Sequence, residues 1–316
     1  MADQIYRLKT RREVLKVAIG AAGIVVGAPI LGFGRAAAQG VATSPNTQKL
    51  ADDLFIVQLP NEANVLAHVD AKGVVLVDGG SAAGSDALMK AVAGLPGGGN
   101  VHTLFNTHWH PEQTGSNERL GKAGAAIIAH ENTRLWLTQN VTPPYSGGKT
   151  YKKLPKIAQP NKTFYTTGAL DSGIKYGYIA DAAHTDGDIY VYFPKQNVLA
   201  VGDAVSGQGW PVVDWWTGGW IGGIVGGLNR LQTVANAETK IVPARGPVMS
   251  LADLRAQSEM FGTIYGRLSQ MINAGKGPSE GVEAKPAKEF EGKMGNADEF
   301  IRRSFESLWA YVSPDA

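Results

Sequence analysis

Two histidines in Asn106-Thr107-His108-Trp109-His110-Pro111-Glu112-Gln113-Thr114-Gly115 stand two residues apart, just after a predicted buried strand. A strand that ends there projects alternate side chains to one side, so both imidazoles can enter one cleft, which makes half a metal site. A third imidazole stands in Ala183-His184-Thr185-Asp186-Gly187-Asp188, a Gly- and Asp-rich turn before a strand, and a carboxylate follows another strand at Gly202-Asp203. The chain has no cysteine, which excludes disulfides, iron–sulfur clusters and thiolate zinc and leaves His, carboxylate or water to hold any metal. Three imidazoles and an open position lower the pKa of zinc-bound water to about 7 and so generate hydroxide for attack on an ester, lactone or amide carbonyl. His108, His184 and Asp203 by themselves are two imidazoles and a carboxylate, the triad that binds Fe(II) and leaves positions for dioxygen. Copper also suits imidazole donors.

These residues need strand ends to hold them. Short predicted strands run Leu54 to Gln58, Asn64 to Val69 and Gly73 to Val77, the last leading into Asp78-Gly79-Gly80, and should open a sheet antiparallel. Leu88, Ala91, Val92 and Leu95 then recur at helical spacing, and Val101 to Asn106 reads as the next buried strand. Alternation continues through 120–129 and 132–138. The stretch from Val141 to Pro160 has Pro, Gly and lysines without periodicity and reads as a long loop, either a lid or pocket wall or a solvated connector. Strands return at 175–180, 189–193 and 198–201. Beyond them Leu251, Leu254, Phe261, Ile264, Leu268 and Met271 share one helical face behind a Ser250/Asp253 capping box, and Phe300, Ile301, Phe305, Leu308 and Trp309 mark a last amphipathic helix. The β-then-βαβ rhythm implies a layered α/β protein, and ligands gathered at strand ends suit that class.

With these residues in view, the chain resembles the metallo-β-lactamase superfamily, in which a His-x-His-x-Asp-His signature, a later His, a later Asp and a last His bind one or two metals. Leu76-Val77-Asp78-Gly79 resembles its early turn, Ala129-His130-Glu131-Asn132 a segment after the signature, and Ile241-Val242-Pro243-Ala244-Arg245-Gly246-Pro247 the strand that delivers the last His. The resemblance implies an αββα sandwich, with His108, His110, His184 and Asp203 as the ligands of a first metal. The second site departs from the pattern. Its Asp is Glu112, its His is Gln113, and its last His is Arg245, a permanent cation without a lone pair to donate. One divalent ion is therefore expected, zinc first, with iron and copper open.

On that reading Asp203 or Glu112 orients the attacking water and takes its proton, and Arg245 either holds a substrate carboxylate or developing oxyanion, or pairs with Glu112 or Asp203. The leading expectation is a mononuclear hydrolase of small molecules. The same ligands in an iron or copper oxidoreductase, as in the superfamily's persulfide dioxygenases, and a metal- or ligand-binding protein that has left catalysis, are the alternatives. Asp78 is expected to orient a ligand imidazole, with Gln113 beside it. Trp210, Trp215, Trp216 and Trp220, four indoles in eleven residues shortly after Asp203, either flank the cleft or pack helices onto the sheet. His68 and His102 fall within predicted strands and read as core; His130 reads as a helix cap or surface residue.

Thr10-Arg11-Arg12-Glu13-Val14-Leu15-Lys16 resembles a twin-arginine export motif. A glycine-broken apolar run and Ala36-Ala37-Ala38 follow, so residues 1–38 read as an export signal rather than a membrane anchor, and 39–316 as the metallo-β-lactamase-like domain. The expected address is the periplasm or exterior, with the export machinery as a partner and no stable anchor after cleavage. Without the leader's six basic and two acidic residues, 24 basic and 26 acidic remain. That near-neutral balance gives no case for nucleic-acid binding.

Overall fold

The computed structural model describes residues 45–179 and 182–312. The expected export signal lies outside them.

The first half builds a seven-stranded sheet in the order β1-β2-β3-β4-β5-β6-β7. Strands β1 (Asn46–Ala51), β2 (Leu54–Gln58), β3 (Asn64–Asp70) and β4 (Gly73–Val77) pair antiparallel, as expected, although β1 was not read from its polar, exposed residues. Strands β5 (Val101–Phe105), β6 (Ala126–His130) and β7 (Lys162–Phe164) then add parallel. Helix α1 (Ser85–Ala93) makes the first crossover; α2 (Pro111–Thr114) and α3 (Asn117–Lys122) make the second, and α4 (Glu131–Leu137) opens the third.

The second half repeats the logic. Strands β8 (Thr167–Ala169), β9 (Lys175–Tyr178), β10 (Ile189–Phe193) and β11 (Val198–Gly202) form an antiparallel meander. Helix α5 (Ile221–Val234) then returns the chain to β12 (Lys240–Pro243), parallel to β11. Helix α6 (Leu251–Asn273) starts at the Ser250/Asp253 capping box, the short α7 (Pro278–Glu283) and α8 (Glu291–Met294) follow, and α9 (Asp298–Val312) closes the described chain. Among the described residues no helix is long and apolar enough to cross a membrane.

Three apolar layers show why the strands read as unbroken hydrophobic runs. In β4, Val75 and Val77 join the core between the sheets, where they meet Ile189, Val191 and Val198 of the second sheet. Val74 and Leu76, one step out of phase, join the layer under Leu88, Val92 and Leu120 of the outer helices. The opposite outer layer packs α5, α6 and α9 on the second sheet through Leu228, Phe261, Ile264 and Phe305. A strand buried on both faces keeps no polar alternation, and the order helix, sheet, sheet, helix is the αββα sandwich.

Candidate metal centre

The residues with chemistry sit where strands of both sheets end along one edge. His108 and His110 follow β5, Asp203 follows β11, Arg245 follows β12, and His184 precedes β10. Ligating atoms of His108, His110, His184 and Asp203 all lie within 4.8 Å of one another. His184 Nε2 is 3.1 Å from His110 Nδ1, and His108 Nε2 is 3.5 Å from Asp203 Oδ2. A tetrahedral ion with ligands at about 2.0–2.1 Å sets its donors about 3.3 Å apart, so both spacings suit one cation.

Each imidazole is held by its outward nitrogen. The Asp214 carboxylate accepts from His110 Nε2 at 2.9 Å, and the Val212 carbonyl accepts from His184 Nδ1 at 2.5 Å. His108 Nδ1 lies 3.1 Å from Thr107 Oγ1, which donates its own proton to Asp78 Oδ2 at 2.9 Å when that carboxyl is ionised, and in that state the threonine oxygen accepts from His108. With all three ring protons directed outward, three lone pairs converge, and the 3.1 Å approach of His184 to His110 sets acceptor against acceptor. A cation between them resolves that repulsion. His108 Nε2 is buried with no hydrogen-bond partner, an arrangement that a metal would satisfy. Burial first, then the neighbouring imidazoles and Arg245, push the His108 pKa well down, which favours the neutral ring that ligation requires.

Local structure fixes these positions. Asp78 takes a left-handed backbone (φ 66°), and its carboxylate accepts from both Thr107 N (2.8 Å) and Thr107 Oγ1. It therefore acts on His108 through the threonine. Burial pushes the Asp78 carboxyl up to about 8 despite those two bonds. Gly202 (φ +57°) permits the close approach of β11 to the same threonine, since a Cβ there would lie 2.7 Å from Thr107 Oγ1. Asp214 is buried, and it also accepts from Thr217 Oγ1 at 2.6 Å and from the Tyr145 hydroxyl. Burial alone would raise this carboxyl; the bond and charge of His110, with bonds from Thr217 and Tyr145, hold it at about 2.

Other residues stand where the resemblance puts the ligands of a second metal. Gln113 is fully buried and donates its amide to Asp203 Oδ2 at 3.0 Å, so it bears on Asp203 rather than on a ligand imidazole. Its Oε1 has no hydrogen-bond partner among the described residues. Glu112 and Arg245 line the cavity beside the histidines, and neither forms an ion pair among the described residues. The expected alternative of an Arg245 pair with Glu112 or Asp203 is therefore not what the structure shows; Arg245 is exposed, and its guanidinium has no partner among the described residues.

The cavity holds about 270 Å³. Of the four tryptophans read as its wall, Trp210 lines it. Trp220 instead stacks on Tyr311 within the core, Trp215 donates to Glu306, and Trp216 is 46% exposed. As cavity wall the expectation for those three is corrected, and Trp220 takes the other expected role, packing helices onto the second sheet. Their segment is pinned to the His184 turn by Asp214 N to His184 O and Trp220 N to Ala183 O, and its contributions to the centre are Asp214 and the Val212 carbonyl. The 141–160 stretch is irregular apart from short turns and a Val141–Tyr151 bridge, and it supplies Tyr145 and Tyr151 to the cavity wall. His68 is buried beside Asp53, His102 binds Asp70, and His130 caps α4 while stacking on Tyr178. None of these three joins the cluster.

Sequence reading missed Asp214, Thr107, Tyr145 and Arg303. A carboxylate amid Val212-Val213 and Trp215-Trp216 was the available signal for Asp214, since a charge in so apolar a run needs a buried partner.

Known proteins agree with this geometry. A family model described as the metallo-beta-lactamase superfamily matches residues 60–254. The fold is similar to DIM-1 metallo-beta-lactamase (TM-score 0.55, 16% identity, 70% of this chain and 98% of that one). It is also similar to a metallo-beta-lactamase from Pontibacter korlensis (0.53, 19%, 69% and 99%) and to TMB-1 (0.52, 15%, 69% and 98%). At such identities the structural likeness speaks for the fold, while the match over most of the chain, centred on the converging histidines, settles membership: the chain belongs to the metallo-β-lactamase superfamily.

Proposed function

We propose that the protein is a mononuclear metal-dependent hydrolase that cleaves an ester, lactone or amide bond of a small molecule. The observation that carries this reading is the convergence of three imidazole lone pairs whose outward nitrogens are each engaged. His108, His110 and His184 would hold the ion, with Asp203 as an oxygen ligand. A divalent ion such as zinc supplies Lewis acidity there, acidifying a water and polarising the scissile carbonyl.

The chain's own residues do the rest. Asp203 Oδ2 is engaged by Gln113, which leaves Oδ1, without a partner among the described residues, to accept a proton from water and pass it to the leaving group. Glu112, half-buried on the same wall, is a second carboxylate within the cavity. Arg245 sets a fixed positive charge in place of the superfamily's last histidine, where it opposes negative charge on the substrate. Trp210, Tyr145 and Tyr151 contribute aromatic rings to the cavity wall. Twin-arginine export to the periplasm, carried by Arg11-Arg12, belongs to the same proposal.

The test is metal analysis of the purified full chain, followed by assay against a panel of aryl esters, lactones and lactams before and after chelation. About one zinc per chain with chelator-sensitive hydrolysis is expected. One iron with oxygen consumption and no hydrolysis would replace this reading with the oxidoreductase, and a chain that takes up no metal would leave the binding-protein reading.

A further inference from the structure

We propose that Arg245 and Arg303 form a two-guanidinium receptor for an oxyanion group, carboxylate or phosphate, carried by the substrate on a planar apolar body. The inference rests on the hydrolase reading and names its substrate class. Both arginines line the cavity that holds His110, His184 and Asp203, and they reach it from different parts of the chain. Arg303 lies on α9, beyond the 60–254 segment that matches the family.

Arg303 is held in place, Arg245 springs from a clamped turn, and neither guanidinium has its full set of partners among the described residues. The Arg245 turn is clamped from the opposite sheet by Asn64 Nδ2, which donates to Pro243 O (2.9 Å) and Gly246 O (3.0 Å), and from its own sheet by Gly207 N, which donates to Arg245 O at 3.1 Å. Its side chain has no hydrogen bond or ion pair among the described residues. Arg303 is tethered through Nε to Glu299 Oε1 at 2.6 Å and lies over the Tyr145 ring, 4.1 Å from its centroid. That tether leaves its two terminal nitrogens without partners among the described residues, and its side chain is only 17% exposed. Tyr145 is fixed in turn by donating its hydroxyl to Asp214. A fork stacked on a ring and held by one nitrogen is oriented for bidentate recognition of a planar or tetrahedral oxyanion. Tyr145, Tyr151 and Trp210 add aromatic rings to the same cavity wall, which suits an apolar body on the anion.

The test uses the full chain freed of metal, titrated with benzoate, phenyl phosphate and the neutral benzamide while tryptophan fluorescence is followed. At least one anion should bind tenfold or more tightly than benzamide, and which anion is preferred assigns carboxylate or phosphate. Arg303→Gln and Arg245→Gln should each weaken the preferred anion at least fivefold and leave benzamide within twofold, and Arg303→Lys, which keeps the charge but loses the fork, should fall between. Absence of any preference for anions in the unaltered chain overturns the proposal. So does an unchanged anion affinity in Arg245→Gln, a substitution at an exposed side chain with no contacts to lose. Because no ion is present, such failures count against the receptor alone, whereas lack of turnover by the metal-loaded chain counts against the hydrolase reading.

Discussion

His110 Nε2 lies 2.9 Å from Asp214 Oδ2, and this bond turns the other ring nitrogen toward His184 and Asp203. The buried carboxylate that holds it also ties in Tyr145 and Thr217, so one group outside the ligand set orients the ring that faces the cavity.

Asp214→Asn should therefore lower metal affinity by about 10–100-fold, the usual loss when the partner of a ligand imidazole is removed. Competition with a chromogenic chelator measures it. Affinity equal to that of the unaltered chain would show that the ring needs no such support.

Gln113 and Arg245 stand where the superfamily resemblance puts ligands of a second ion, and in the structure Gln113 donates to Asp203 while Arg245 lines the cavity. Replacing them together, Gln113→His with Arg245→His, should raise metal content from one toward two ions per chain by elemental analysis. Unchanged content would point to Glu112, one methylene longer than the superfamily's aspartate, as the residue that closes the site.

The Asp78 carboxyl, pushed up to about 8 by burial, governs the proton on His108 through Thr107. Below that pH a protonated Asp78 donates to the threonine, whose hydroxyl then turns to His108 Nδ1 and drives the ring proton onto the nitrogen that must ligate. A raised carboxyl pKa thus weakens metal binding as pH falls. Affinity should climb between about pH 7.5, where a free imidazole of pKa about 6.5 is roughly nine-tenths neutral, and about pH 9. Asp78→Asn should flatten this part of the profile; a parallel slope in both proteins would assign it to another group.

Gly202→Ala should destabilise the fold by about 2–4 kcal/mol, since a left-handed alanine is strained and its methyl would overlap Thr107. Chemical denaturation of the metal-free chain reads this directly. A loss below about 0.5 kcal/mol would mean that β11 and the β5 turn can separate at little cost.

The ligands were legible because His-x-His, a later His and Gly-Asp each sit at the end of a recognisable apolar strand. Strands buried on both faces, such as 73–77, could be read by their β-branched runs alone. Helix α5 could not: Ile221-Gly222-Gly223-Ile224-Val225-Gly226-Gly227 is poor in helix formers, and packing of Ile224, Leu228 and Leu231 on the second sheet imposes the conformation. Asp214 and Arg303 were hidden for a different reason. They lie 104 and 193 positions beyond His110, and only the tertiary fold brings such distant groups to one cavity.

His108 and His110 come from one sheet, and His184 and Asp203 from the other. A cation gripped by all four acts as a rivet across the seam, so its binding free energy is also cohesion between the two halves of the sandwich. The emptied protein loses that rivet at the mouth while keeping the apolar filling behind it. Heat or protease should then open it first along this edge, and a chain loaded before it meets a harsher compartment would arrive already fastened.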